Sequence, residues 1–288
     1  MASHRKLRAA AVVCAAVVVT GPAPLAARAA TAGQAAAVPP GAAALAPGAA
    51  ALAPGAAVLA PSPSPDPFAG LTPDEIGERA VTATQSATSL RMTGKVVSEG
   101  QPLGIDFSVN DKDECTGLIK IKDGTAELRR LDHITYMKGD EDFWRASMAS
   151  QGMPEPQITA TLELIKDRWL KIAPGQAGSE DLGGVCDLKS LLADLDKDKE
   201  QRRGLTRGPD AKVGGTPVAT LVKKKPGGET TTVSVSERGK TYILKMVKKG
   251  GKEPGAIVLS DYDKPVHVKA PPADETVDLS KLDGGAPA

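Results

Sequence analysis

The chain has 288 residues, with 36 basic and 35 acidic side chains for a formal net charge of +1, and only 3% of its residues are aromatic. A near-neutral charge and scarce aromatics exclude a basic, base-stacking nucleic-acid binder. Three cysteines, Cys14, Cys115 and Cys186, are too few for a disulfide-dense scaffold.

The first thirty residues set the compartment. Arg5, Lys6 and Arg8 precede an apolar run from Ala9 to Val19, which breaks at Thr20-Gly21-Pro22. That run is too short for a bilayer span of about 20 residues. With the small-residue stretch Ala27-Arg28-Ala29-Ala30 behind it, it predicts a cleaved export signal over residues 1–30 and a protein that is secreted or held in the cell envelope. Cleavage removes Arg5, Lys6, Arg8 and Arg28, leaving 32 basic against 35 acidic side chains and a net charge of −3. Cys14 follows Arg8 by only five intervening residues and sits behind Val13, a poor context for acylation, so no lipid is expected there. Cys115 and Cys186 then remain as an even pair, which reads as a disulfide in an oxidising compartment. Two buried free thiols are the alternative.

Residues 31–67 are a low-complexity spacer. Pro40, Pro47 and Pro54 each open a Pro-Gly-Ala-rich heptad, and Pro61-Ser62-Pro63-Ser64-Pro65 follows. Each Pro-Gly step opposes a helix, so an extended or flexible tether is predicted. A folded domain is predicted over residues 68–282, followed by a short tail at 283–288.

The domain opens with Thr72 as N-cap, Pro73 at N1, Glu75 at N3, and Leu71 and Ile76 as a hydrophobic staple, which predicts a helix to about Ser89. Leu103, Ile105, Phe107 and Val109 alternate with polar residues, as do Cys115, Gly117, Ile119 and Ile121, with Asn110–Asp113 and Asp123-Gly124 as turns. Two short strands fit residues 126–131 and 134–138. Ile158, Leu162, Ile165 and Trp169 recur at helical spacing, and Asp187 caps a second helix carrying Leu188, Leu191, Leu192 and Leu195. Strands return over residues 216–224, 229–236, 240–248, 255–260 and 266–269, with Gly227-Gly228 and Arg238-Gly239 as hairpin turns. This order predicts an α+β fold whose antiparallel sheet gathers its helices on one face.

No catalytic or metal constellation emerges. His133 lies in a hairpin and His267 near the C-terminus, without partners identifiable from sequence. Gly239-Lys240-Thr241 imitates the end of a phosphate loop, but a strand follows where a helix is required. Asp194, Asp196 and Asp198 imitate half a calcium loop, whose sixth position is Lys199 and twelfth Leu205. Lys223-Lys224-Lys225 and Lys248-Lys249 form a basic rim around the last hairpins, suited either to solvent or to lipid headgroups and anionic wall polymers.

Signal, spacer, capped helix, strands ending in Thr135–Ser147, helical insert and second run of hairpins together resemble the LolA/LppX-like exported lipoproteins of actinobacteria. The stretch Cys115–Ser147, with Tyr136, Lys138-Gly139-Asp140 and Phe143-Trp144, carries most of that resemblance. It implies a curved antiparallel half-barrel with helices packed on its concave face, enclosing an apolar cavity for acyl chains. The missing lipobox departs from the pattern. On this frame Ile105, Phe107, Ile119 and Ile121 would line the sheet side of a cavity, and Ile158, Leu162 and Ile165 the helix side. The expected function is non-catalytic carriage of a lipid or lipidated protein, with no cofactor, no nucleic acid, contact with membrane surface or cell wall, and a monomeric chain. A cell-surface structural or sensor protein without a small ligand is the alternative.

Overall fold

The computed structural model describes residues 66–98, 100–176, 179–197 and 202–283. The expected signal, Cys14, nearly all of the spacer and the tail beyond residue 283 lie outside them.

Helix α1 (Pro73–Gln85) starts where its cap requires: the Glu75 amide donates to Thr72 Oγ1 at 3.3 Å and the Thr72 amide to Glu75 Oε2 at 2.7 Å. The reciprocal bonds satisfy two of the helix's orphan donors and contribute about 1 kcal/mol. The helix stops at Gln85, short of the predicted Ser89. The Ser86 hydroxyl turns back to the Ala83 carbonyl, and Asp263 takes the Thr88 amide at 3.0 Å. The chain leaves directly into a strand that the periodicity did not predict, β1 (Ser89–Ser98).

The strands β2 (Gln101–Asn110), β3 (Cys115–Ile121), β4 (Gly124–Leu131) and β5 (Ile134–Gly139) follow as an antiparallel meander, close to the predicted boundaries. Asp132 and His133 both take positive φ in the β4–β5 turn, so His133 is an exposed turn residue. Two helices, α2 (Glu141–Ser150) and α3 (Glu155–Ile165), lead to β6 (Trp169–Ile172). Here two expectations fail. Residues 141–150 form a helix because Asp140 accepts from the Phe143 amide at 2.7 Å and Glu141 and Asp142 suit the first turn. Trp169 lies in β6 rather than on the helix before it, since α3 ends at Ile165 and Asp167 turns the chain with φ 58°.

Helix α4 (Ser179–Val185) was not foreseen, whereas α5 (Leu188–Lys197) stands where Asp187 caps it, the Ser190 amide donating to Asp187 Oδ1 at 2.9 Å. Two short strands, β7 (Thr206–Arg207) and β8 (Ala211–Val213), precede the second meander: β9 (Thr216–Lys224), β10 (Thr230–Ser236), β11 (Ile243–Lys249) and β12 (Gly255–Ser260). A bulge in β11 opposite Ser234 and Val235 skips Leu244. The strand expected at 266–269 is absent: residues 264–272 hold no regular structure, and Pro265, Pro271 and Pro272 supply no amide donors. The last strand is β13 (Thr276–Asp278), which pairs in parallel with β6.

The thirteen strands among the described residues join one sheet in the order β13-β6-β5-β4-β3-β2-β1-β12-β11-β10-β9-β7, with β8 also on β9. The sheet is large, open and curved, the fold is mixed α+β, and the helices sit on the concave face. The first meander and the second run outward from a common seam where β1 meets β12, Arg91 opposite Ser260.

Candidate functional site

Strand registers assign each side chain to a face. Across the middle of the concave face runs the row Met137, Leu128, Gly117, Phe107, Met92, Leu259. One step toward the end of the sheet lies Ala126, Ile119, Ile105, Gly94, Ile257, Met246, Val233. Beyond it, Ile121, Leu103 and Val96 continue through Gly255 into Lys248, Thr231 and Lys223.

Burial falls off along this direction. On β2, Val109 is 0% and Phe107 1% exposed, whereas Ile105 and Leu103 are half-buried. The same gradient runs from Leu90 to Met92 and Val96 on β1, and from Leu259 to Ile257 on β12. The helices explain it. α2 packs on β3, β4 and β5, α4 on β5, and α1 on β7, β10 and β11, to either side of the central strands β2, β1 and β12. One end of the concave face is closed, and the other keeps an apolar wall partly open to water.

Of the seven predicted lining residues, Phe107, Ile119, Ile158, Leu162 and Ile165 are buried members of one core, and Ile105 and Ile121 pack half-buried against it. Sequence reasoning missed Met92, Val96, Met246 and Ile257. The first two belong to β1, where Leu90, Met92 and Val96 recur every second residue and Gly94 interrupts the alternation.

The helices are fixed very unequally. Cys115 at the start of β3 is bonded to Cys186 between α4 and α5, with Cα atoms 5.3 Å apart and both residues fully buried. Arg130, opposite Cys115 on the concave face, lies under Gly183 of α4, and its buried Nε meets no acceptor among the described residues. α2 presses Phe143 and Trp144 onto the sheet at two glycines. A Cβ at Gly139 would fall 2.7 Å from the Phe143 ring, and one at Gly124 would strike the Phe143 backbone. α3 has no such tie. Pro154 gives it no side-chain cap, and its principal neighbour is α2.

A shallow depression of about 270 Å³ lies on the outer side of α2, walled by Lys122, Asp123, Asp142, Arg145 and Glu155. Its charged rim suits no acyl chain, and it is remote in chemistry from the apolar wall. Among the described residues no three His, Cys, Asp or Glu side chains converge as a metal-binding group, and no helix is long and apolar enough to cross a membrane.

No protein-family model and no curated protein matches the chain. Among solved structures it is similar to LprF from Mycobacterium bovis, at 15% identity over 69% of this chain and 96% of that one, with a TM-score of 0.48. The Mycobacterium tuberculosis lipoprotein LppX matches at 14% identity over 68% and 97% of the two chains, with a TM-score of 0.43. MucB, in its Pseudomonas aeruginosa complex with MucA, matches at 13% identity over 70% and 59%, with a TM-score of 0.29. At these identities neither ligand nor partner passes from those proteins to this chain.

Proposed function

We propose that this chain is an exported, non-catalytic carrier that holds acyl chains between the concave face and the helices. Ile105, Phe107, Ile119 and Ile121 form the sheet side of the site, and Ile158, Leu162 and Ile165 the lid. The observation that carries this reading is the burial gradient along β2, β1 and β12, which leaves Leu103, Ile105 and Ile257 half-buried against the core, with Val96 half-buried beside them, as an apolar wall partly open to water. An alkyl chain laid on that wall gains about 0.8 kcal/mol per buried methylene. α3, uncapped and resting mainly on α2, is the element that yields to admit it.

The test is uptake of a fluorescent fatty acid, alongside extraction of lipid from protein purified from its own host. Saturable uptake is expected in the wild type. Ile105→Trp, at a half-buried position opposite Gly94 and Ile119, should fill the entry and abolish uptake while the protein still unfolds cooperatively. Leu118→Gln, on the convex face where Leu118 is 38% exposed, should change nothing. A wild type with neither extractable lipid nor saturable uptake ends the carrier reading and leaves a surface-structural role in its place.

A further inference from the structure

We propose that the end of the sheet formed by the β9–β10 and β11–β12 turns docks on an anionic lipid bilayer. The reason for a membrane rests on the carrier reading, because the apolar wall opens at this same end.

The two turns are built as one unit. Gly227, Gly228, Gly250 and Gly251 all take positive φ, which lets the two turns approach closely. The tips touch: a Cβ at Gly250 would lie 3.2 Å from the Gly228 carbonyl, and one at Gly251 2.5 Å from Glu229 Oε2. Glu229 is held between the hairpins by Lys225 at 2.8 Å and Lys248 at 3.6 Å. Lys223 donates to the Arg203 carbonyl. Lys224, Lys249 and Lys252 are exposed and have no ion-pair partner among the described residues. Residues 223–229 and 248–254 thus carry six lysines against two glutamates, a net charge of +4.

The opposite end has the other sign. Connections 110–114, 131–134, 236–242 and 261–264 carry seven acidic and four basic side chains, a net charge of −3. The positive character is also confined to the β9–β12 side, since Asp142 and Glu155 stand beside Lys122 and Arg145 near the β3–β4 turn. A chain whose exported form is net negative therefore presents one cationic end, and that end borders Val96, Leu103 and Ile257. Lys224 and Lys249, both opposite Thr230, lie on the convex face, so an anionic surface draws in the end of the sheet, with the mouth of the wall at its edge, where a neutral surface gives no such orientation. Three solvated lysines within a Debye length of such a surface change partitioning by about a hundredfold.

The experiment is sedimentation of the full exported chain with vesicles of pure phosphatidylcholine or of equal phosphatidylcholine and phosphatidylglycerol. Wild type should bind only the anionic vesicles, and high salt should release it. K224Q/K249Q/K252Q should lose about a hundredfold in partitioning with Tm unchanged, whereas K112Q/K212Q/R238Q, the same loss of charge elsewhere, should bind as wild type does. Equal loss in both triple variants, or equal binding to both vesicles, overturns the proposal. So does equally tight binding to soluble polyphosphate that leaves the vesicles free. Fatty-acid uptake is scored separately: vesicle binding without uptake removes the carrier reading and keeps the docking end, and uptake without vesicle binding does the reverse.

Discussion

The two meanders that meet at the β1–β12 seam are secured by different physics. On the β3–β5 side, a disulfide ties the sheet to α4 and α5, and α2 is pressed into two glycine sites by Phe143 and Trp144, whose rings meet edge-on at 5.2 Å. On the β9–β12 side the described residues hold no covalent tie. The Ile243 amide donates to the Thr84 hydroxyl oxygen of α1 at 3.0 Å. Tyr242 and Tyr262 stack at 4.0 Å, and Asp263 gathers the Thr88 amide, the Tyr242 hydroxyl and the Lys240 ammonium. One half is locked by bonds and close steric fit, the other by a polar clamp at the surface. The difference teaches that the two halves fail by different routes, and α3, whose buried Ile158, Leu162 and Ile165 join the core and whose main helical neighbour is α2, belongs to neither tie.

The comparison can be broken most severely at the disulfide. C115A/C186A opens a loop spanning 71 residues of sequence separation, and should destabilise the fold by roughly 4 kcal/mol in the chain-entropy account, read from the urea midpoint. If the β3–β5 half does not depend on this tie, the midpoint will barely move.

Gly124→Ala comes next. Its methyl group meets the Phe143 backbone rather than a side chain that could swing away, so a loss of about 2–3 kcal/mol is expected from overpacking. Trp144 fluorescence should shift to the red as α2 lifts. Unchanged emission would mean that α2 is not seated through this glycine.

Asp263→Asn acts on the other half and should cost about 1 kcal/mol, because hydrogen bonds at a site one-third exposed are weakened by solvent. It also carries a pH signature. The Tyr242 hydroxyl, the Thr88 amide and Lys240 hold the Asp263 carboxyl well below its ordinary value of 3.8. Ser280 and Lys171 hold Asp278 at about 2. A depressed carboxyl stabilises the folded state above its unfolded pKa and loses that contribution as pH falls through the folded one. Wild-type Tm should therefore be level above about pH 5 and decline below about pH 4, with a shallower decline in the Asn variant. Equal slopes would remove Asp263 from the clamp.

Much of this division was legible in sequence. The α1 capping box, the alternation in β2 and β3 and the Gly227-Gly228 turn are local patterns, and each appears where the residues put it; the Cys115–Cys186 pair, 71 residues apart, was legible from the even count alone. β1 was lost because the helical stripe of α1 runs up to Ala87 without a glycine or proline to end it. The actual stop comes from Asp263, far away in sequence. α2 did carry a local sign, Asp140 followed by two acidic residues, but Phe143-Trp144 suits a strand equally well. The parallel pairing of β13 with β6 left no pattern at all, since Thr276 and Trp169 meet only once everything between them has folded. For the candidate site, the inward residues of β2 and β3 were readable, while the half contributed by β1, β11 and β12 depended on pairings between distant segments.

The seam itself has a consequence for how the molecule is made. Of the described strands β1 is the first to be synthesised and β12 the last long one, so Arg91 waits for Ser260 until the residues between them have been made. Until then β1 offers an unpaired hydrogen-bonding edge beside Met92 and Val96, the arrangement that recruits foreign strands. Closing so long a loop is slow relative to forming either meander. Any chain whose first meander forms before β12 is available exposes that bare edge, which is when a holding chaperone has the most to protect.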